Sequence, residues 1–433
     1  MKCFEITDKA SYRAAEAYIR ARSEASAEGE VQEKINAVRG IVEAVRTRGD
    51  AAVAECTERF DGVSLRPDQF EVSAEELDAA KAHVDPALLA ILQRAYENVR
   101  RFHAKHLRES WEENFEDGTV LGQRITPIES AGVYVPGGKA FYPSSVLMNI
   151  APAQVAGVKD IIMVSPPSYQ GGIHPIVLAA AKLAGATRVF RVGGAQAVAA
   201  LAYGTKTIPA VCKITGPGNT FVTAAKALVR NVAEIDSEAG PSEVVVIADA
   251  TAKAEYVAAE LLAQAEHDEE ASCVLMTTSS ELAEAVQQRL TSEIAQLARK
   301  EIITKSLDAY GVIIVVRKMD EAISLTNVYA PEHLSIQTEF PQKIANKITN
   351  AGAIMLGAMT PVAVGDYYAG PNHILPTRRR ARFSSPLTAE DFRKVSSILY
   401  YSKERLQRDA EDIITLARAE ELQAHARSVE VRK

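Results

Sequence analysis

Gln264 and His267 stand three residues apart in Gln264-Ala265-Glu266-His267, a stretch whose surroundings predict the end of a helix. Residues at that spacing share a helix face, with Cβ atoms roughly 5–6 Å apart, so an amide oxygen and an imidazole would sit side by side. Alone, the pair fits a wet helix face as well as half of a metal site. Three later stretches add to it: Ala330-Pro331-Glu332-His333-Leu334, the run Gly365-Asp366-Tyr367-Tyr368-Ala369-Gly370-Pro371-Asn372-His373, and His425 near the C-terminus. Gln264, His267, Asp366 and His425 together offer two nitrogens and two oxygens with one anionic ligand, a set that suits Zn²⁺. Mixed ligation of this kind also admits Mn²⁺, Co²⁺ or Ni²⁺.

Glu332 and His333 put a carboxylate beside an imidazole, the equipment of general acid–base chemistry near neutral pH. Pro331 disfavours helical geometry at Ala330, so the pair is expected on a turn. The plainer reading is a first-turn Glu favoured by a helix dipole, next to a hydrogen-bonded His. His373 lies in a Gly-, Pro- and Asn-rich loop, where a functional and a structural role are both open. Arg378, Arg379, Arg380 and Arg382 form a basic cluster, either a solvated loop or a contact for an anion or a subunit.

The elements that must position these residues fall into blocks. Residues 9–60 read as helix, with Ile35, Val38, Ile41, Val42 and Val45 as an apolar stripe. A second helical block starts at Ser73, an N-cap with Glu76 as capping-box partner, and runs to about His106. His83, His103 and His106 stand among charges there and read as solvated or lightly paired. From Gly132 strands and helices alternate at a spacing that predicts a parallel sheet covered on both faces. Ligands of such sheets collect at the carboxyl ends of strands. Those ends carry Tyr134 with Gly137-Gly138, Gly193-Gly194-Ala195-Gln196, and Thr215-Gly216-Pro217-Gly218-Asn219. The glycines either let backbone N–H groups approach a phosphate or simply make tight turns. None matches G-x-G-x-x-G with an acidic residue about 20 positions on, so a dinucleotide here would bind in a non-standard way. Near Gly240-Pro241-Ser242 the alternation restarts and continues to Ile354-Met355-Leu356.

The expected architecture is α/β: two Rossmann-like parallel-sheet units of similar build, a helical N-terminal segment and a helical C-terminal tail. The expected boundaries are 1–28 for the first segment and 29–131 with 242–387 for a discontinuous unit bearing the metal and catalytic residues. Residues 132–241 form an inserted unit, and 388–433 the tail.

The 433 residues suffice for two or more cores, and 47% apolar with 24% charged residues fits a globular chain. A formal net charge of -7 without a basic stripe argues against nucleic acid as a partner. No apolar run approaches the roughly 18 residues of a membrane helix, and the N-terminus lacks a signal-peptide core. Cys3, Cys56, Cys212 and Cys273 form no C-x-x-C pair; buried, inert thiols in a reducing, cytoplasmic compartment are expected.

The chain resembles the histidinol dehydrogenases from about residue 30 to His425. The likeness rests on Val133-Tyr134-Val135-Pro136-Gly137-Gly138, Gly193-Gly194-Ala195-Gln196-Ala197, Gly216-Pro217-Gly218-Asn219, Ala239-Gly240-Pro241-Ser242-Glu243, Gln264-Ala265-Glu266-His267, Ala330-Pro331-Glu332-His333-Leu334, Gly365-Asp366-Tyr367, and Asn372-His373 with Leu375-Pro376-Thr377. The resemblance implies a zinc enzyme that oxidises L-histidinol through L-histidinal to L-histidine with two NAD⁺, the last step of histidine biosynthesis. It implies Gln264, His267, Asp366 and His425 as metal ligands, with the tail histidine reaching into the other subunit of a homodimer. By motif, Glu332 and His333 match the catalytic pair, Tyr134, Gln196 and Asn219 the NAD contacts, and Ser242, His373 and Glu420 substrate contacts. The metal ligands and His333 also surround the substrate. Relatives act on other alcohols, including sulfonated diols, with the same machinery. The family usually has glycine near Arg379, and arginine resists a left-handed backbone, so that loop is expected to run differently here.

Overall fold

Val244, Val245, Val246 and Ile247 are all fully buried, the pattern of a strand covered on both faces. In the computed structural model, which describes residues 1–24, 28–137, 141–238 and 240–433, this strand is central in a six-stranded parallel sheet. From edge to edge the order is Lys2–Glu5, Gly311–Val315, Ser272–Thr277, Glu243–Ala248, His333–Gln337 and Ala353–Leu356. A five-stranded parallel sheet runs Arg188–Phe190, Asp160–Val164, Ser130–Tyr134, Lys213–Thr215 and Glu234–Ile235. Helices cover both faces of each, and the α/β class stands.

The two sheets present opposite ends to one another. In the five-stranded sheet the order reverses between Ser130–Tyr134 and Lys213–Thr215, and Tyr134 and the loop Gly216–Asn219 lie at the carboxyl ends there, as ligand-binding sheets of this kind favour. In the six-stranded sheet the reversal falls between Glu243–Ala248 and His333–Gln337. Here the chemistry-bearing residues are the first of their strands: Glu243 and His333 open them, and Ser242 and Glu332 stand just before. The chain leaves Glu234–Ile235 and starts Glu243–Ala248 after a short link, so carboxyl ends of one sheet face amino ends of the other.

Several expectations shift. Residues 1–28 begin with an edge strand, Lys2–Glu5, paired to Gly311–Val315, before the helix Lys9–Glu24. The helix expected over 9–60 divides further into Glu28–Arg48 and Asp50–Asp61, broken at Gly49, whose φ is 56°. Residues 25–27, Gly138 and Ala239 lie outside the described residues. Val38, Val42, Val45, Ala52 and Val53 pack in one core with Phe190, Val198 and Ile214. The helices of 29–131 thus cover the five-stranded sheet that follows them, not the six-stranded sheet with which they were grouped. The tail contains a strand besides its helices Lys403–Ala419 and Gln423–Glu430: Arg393–Tyr400 pairs antiparallel with Val120–Pro127, which pairs with Trp111–Asn114. Of the four thiols only Cys273 is buried; Cys3 and Cys212 are exposed and Cys56 is intermediate.

Candidate active site

Glu332 and His333 follow the helix Met319–Tyr329, which stops at Ala330 in a left-handed conformation with φ 54°. Pro331 was expected to keep Ala330 out of helical geometry and make a turn, and it does: the Ala330 N–H closes the helix on Thr326 O at 2.7 Å, and the left-handed cap turns the chain into the strand. Both side chains are then buried. The Glu243 backbone holds them: its N–H donates to Glu332 Oε2 at 2.8 Å, and its carbonyl lies 3.2 Å from His333 Nδ1. Glu332 Oε2 is 3.5 Å from His333 Nδ1, and Asp366 Oδ1 is 3.4 Å from His333 Nε2. Burial opposes a charge on this imidazole, yet the flanking Glu332 and Asp366 prevail and push it up to about 10. Asp366 itself is held below its ordinary value: burial works against this, and the charges of His333, His373 and His267 win.

Glu243 was missed in the sequence, although it is the one charged residue in Glu243-Val244-Val245-Val246-Ile247. Its carboxyl is buried, accepts the Arg378 N–H at 3.0 Å through Oε1, and has no hydrogen-bond partner on Oε2 among the described residues. Burial and the neighbouring Glu332 push it up to about 8.

Asp366 lies in the short helix Val362–Tyr367, whose first N–H donates to the buried Glu260 at 3.2 Å. His373 is tied to the same segment: Nδ1 lies 2.9 Å from the Asp366 carbonyl and Nε2 3.3 Å from Ser145 Oγ. Gln264 is buried in the last turn of helix Ala254–Ala265, and its Nε2 has no hydrogen-bond partner among the described residues. His267 falls two residues beyond that helix rather than inside it, its N–H bonded to Gln264 O at 3.2 Å. Turning the Gln264 amide over exchanges its oxygen and nitrogen, so this orphaned corner can offer a lone pair. Among the described residues no three His, Cys, Asp or Glu side chains form a metal-holding group. The expected set differs from such a group because one of its members is an amide and another, His425, stays away. A neutral amide, an imidazole and a carboxylate with one position still to fill fit a mixed-ligand metal ion in donor type.

His425 and Glu420 are exposed on the tail, where the helix Gln423–Glu430 packs on Lys403–Ala419. Neither lines the cavities formed by His267 and Glu332 or by His333 and Asp366. Ser242, His267, Glu332, His373 and Asn219 do meet, lining one cavity of about 300 Å³. His333 and Asp366 line another of about 350 Å³ together with Phe102, His103 and His106. The helix histidines expected to be solvated therefore part company. His83 is exposed, whereas His103 is fully buried, has no hydrogen-bond partner on either ring nitrogen among the described residues, and is pushed down to about 4 by burial and by His106.

A third cavity, of about 820 Å³, opens at the carboxyl ends of the five-stranded sheet and is lined by Tyr134, Gln196, Asn219 and Gly194 among others. Tyr134 Oη accepts the Gly194 N–H at 3.1 Å, and burial pushes its hydroxyl up to about 12. Gln196 is buried with no partner on Nε2 among the described residues. Asn219 Oδ1 caps helix Thr220–Val229 by accepting from Phe221 and Val222 N–H at 3.0 and 3.1 Å. A Cβ on Gly216, with φ 115°, would lie 2.1 Å from the Tyr134 carbonyl, so only glycine lets this loop cross so close. Lys226 and Asp236 form a buried ion pair that also binds both the carbonyl and the N–H of Gly216.

The basic cluster is mostly tied down. Arg380 pairs with Glu238, and Arg379 is buried and donates from Nε to Val328 O at 3.1 Å. Arg379 takes the left-handed backbone itself, φ 59° and ψ 12°.

Known proteins share this fold and much of this sequence. The family model described as histidinol dehydrogenase matches residues 24–433. A histidinol dehydrogenase of Heliobacterium mobile is 52% identical over 392 residues, 90% of this chain and 92% of that one. One from Syntrophotalea carbinolica is 49% identical over 425 residues, 98% of this chain and 97% of the other. The crystal structure of histidinol dehydrogenase from Elizabethkingia anophelis superposes with a TM-score of 0.92 at 36% identity, covering 100% of this chain and 98% of that chain. No described helix is long and apolar enough to cross a membrane. With its fold matched end to end and half its residues shared with such relatives, the chain belongs to the histidinol dehydrogenase family.

Proposed function

We propose that this chain oxidises L-histidinol through L-histidinal to L-histidine, consuming two NAD⁺, as the closing step of histidine biosynthesis in the cytoplasm. In this reading Gln264, His267 and Asp366 hold zinc, with His425 of the partner subunit as the fourth ligand. The observation that carries it is the grip of one backbone unit, that of Glu243, on both Glu332 and His333, with Asp366 against the far side of the imidazole.

That grip assigns roles. The Glu243 carbonyl accepts a hydrogen bond from Nδ1–H, which leaves His333 Nε2 as the nitrogen free to gain or lose a proton. Nε2 has no hydrogen-bond partner among the described residues and faces Asp366, so base action requires Asp366 to give it up. Gln264, His267 and Asp366 would hold a zinc ion there, which would supply a Lewis acid to position the substrate. Tyr134, Gln196 and Asn219, which line one cavity, would hold NAD⁺, which would supply the hydride acceptor. His333 takes the hydroxyl proton as the carbinol carbon loses hydride. Glu332 then draws a proton from water to hydrate the aldehyde, and a second hydride loss gives the acid. Ser242 and His373 line the pocket as substrate contacts, with Glu420 of the partner subunit. Burial of the pair keeps water and a reactive aldehyde from exchanging freely.

The homodimer has its own support. Met359 and Tyr367 near Asp366, and Leu399, Tyr400 and Leu416 on the tail, are exposed apolar side chains that a second copy would cover. A panel of small alcohols, imidazole-bearing and sulfonated, assayed for NADH at saturating zinc tests the substrate. L-histidinol is expected to lead by orders of magnitude in kcat/KM; a sulfonated diol ahead of it would overturn the assignment.

A further inference from the structure

The cavity that holds Tyr134, Gln196 and Asn219 also contains a carboxylate that the proposed chemistry leaves unused. Asp61 is the last residue of helix Asp50–Asp61, and Gly62 behind it turns the chain with φ 70°. Asp61 lines the cavity together with Phe60, Phe221 and Arg59. Its Oδ2 is buried and has no hydrogen-bond partner among the described residues. Burial pushes this carboxyl up to about 6, and its charge reaches Tyr134 across the cavity. A desolvated acceptor without a donor is costly, so the site favours a ligand that brings hydroxyl protons.

The position decides which hydroxyls. Asn219 lines both this cavity and the one holding Glu332, so the reacting end of a dinucleotide belongs at Asn219. Asp61 lines only the larger cavity, away from Glu332, where the other nucleoside must lie. Dinucleotide-binding sheets commonly place an acid about 20 residues past a glycine motif to accept the ribose diol. After Gly216 the acid at that spacing is Asp236, which is taken up by Lys226 and the Gly216 N–H and does not line this cavity; a helix laid over the sheet from earlier in the chain brings Asp61 to it instead.

We propose that Asp61 accepts hydrogen bonds from the adenosine-side ribose diol of NAD⁺ and, by its charge, excludes the 2′-phosphate of NADP⁺. This rests on the NAD⁺ reading above. Arg59, whose guanidinium lies 5.1 Å from the Phe60 ring centroid in the same wall, is the cation a 2′-phosphate would meet once Asp61 is neutral.

The test is calorimetric binding, without turnover, of NAD⁺, NADP⁺ and NAD⁺ lacking the adenosine 2′-hydroxyl to zinc-loaded protein and its Asp61→Asn variant. Wild type is expected to bind NAD⁺ at least roughly tenfold more tightly than either analogue. Asp61→Asn is expected to lose that preference, with the deoxy compound binding both proteins alike. The comparison in wild type alone needs no variant, so a misfolded Asp61→Asn does not spoil it. Equal binding of NAD⁺ and its deoxy analogue by wild type, or an unchanged NAD⁺ Kd in a folded variant, overturns the assignment of Asp61 alone. If wild type binds no dinucleotide, the NAD⁺ reading falls with it.

Discussion

His333 Nδ1 lies 3.2 Å from the main-chain carbonyl of Glu243, a residue 90 positions earlier in the chain. The two strands they open are neighbours, with His333 in register with Val244. The orientation of the proposed base is thus set by strand pairing, a rigid element, and not by a loop.

Glu332→Gln keeps the shape of the side chain and removes its charge. It is expected to slow oxidation by about 10²–10⁴-fold, the range for a general acid–base group. Oxidation of added L-histidinal should suffer more than the first hydride transfer from L-histidinol. Single-turnover NADH formation from each compound separates the steps; equal slowing of both would remove Glu332 from the hydration step.

Glu243 makes stability depend on pH. Burial and Glu332 push its carboxyl up to about 8, so the folded state holds this proton more tightly than the unfolded chain. Its contribution is complete below the ordinary carboxylate range, declines as pH rises toward 8, and is gone above. Glu243→Gln mimics the neutral acid and should flatten that decline. Urea unfolding at about pH 5 and about pH 9 should show the variant gaining at least about 1 kcal/mol relative to wild type at the higher pH. Parallel losses in both proteins would contradict it.

Much of this site could be read from the residues, and the parts that could not share a cause. Adjacent Glu332 and His333 behind a proline were visible because they are neighbours in sequence. Glu243 was hidden because its importance lies in its backbone, which any residue type supplies. Carboxyl strand ends were expected to carry the chemistry-bearing residues; Tyr134 and Asn219 do lie at such ends, but His333 opens its strand, because two sheets meet end to end and sequence periodicity carries no information on their mutual orientation. The strand Arg393–Tyr400 escaped notice because its partner, Val120–Pro127, is remote in sequence. His103 looked solvated among charged neighbours, yet the helix Pro86–His103 turns that one position inward.

Metal removal separates fold from function. The cores around Val244 and Val198 are built from apolar side chains and need no ion. Chelation should abolish NADH formation while leaving far-ultraviolet circular dichroism unchanged, and zinc should restore activity. Gln264→Ala should weaken zinc affinity at least about tenfold. Unchanged affinity in that variant would remove Gln264 from the ligand set.

Arg379 occupies a left-handed backbone that costs a non-glycine residue about 1–2 kcal/mol, while its Nε bonds Val328 O at 3.1 Å. Arg379→Ala loses the hydrogen bond and keeps the strain; Arg379→Gly loses the bond and relieves it. The glycine variant should be the more stable of the two by about 1 kcal/mol in thermal or urea unfolding. The reverse order would show that φ at 379 is not the strained coordinate.

A site completed by a second copy can be rebuilt from two broken ones. His267→Ala and His425→Ala proteins, each inactive alone, are expected to regain activity when unfolded and refolded together, because one site of the hybrid then carries neither substitution. Confirmed hybrid dimers without activity would place His425 elsewhere.

The most direct measurement is the yield from a limiting amount of L-histidinol with excess NAD⁺ and zinc. Two NADH and one L-histidine per histidinol, with no aldehyde released to a trapping amine, is the expected result. One NADH per histidinol with free aldehyde would contradict a site that carries its substrate through both oxidations.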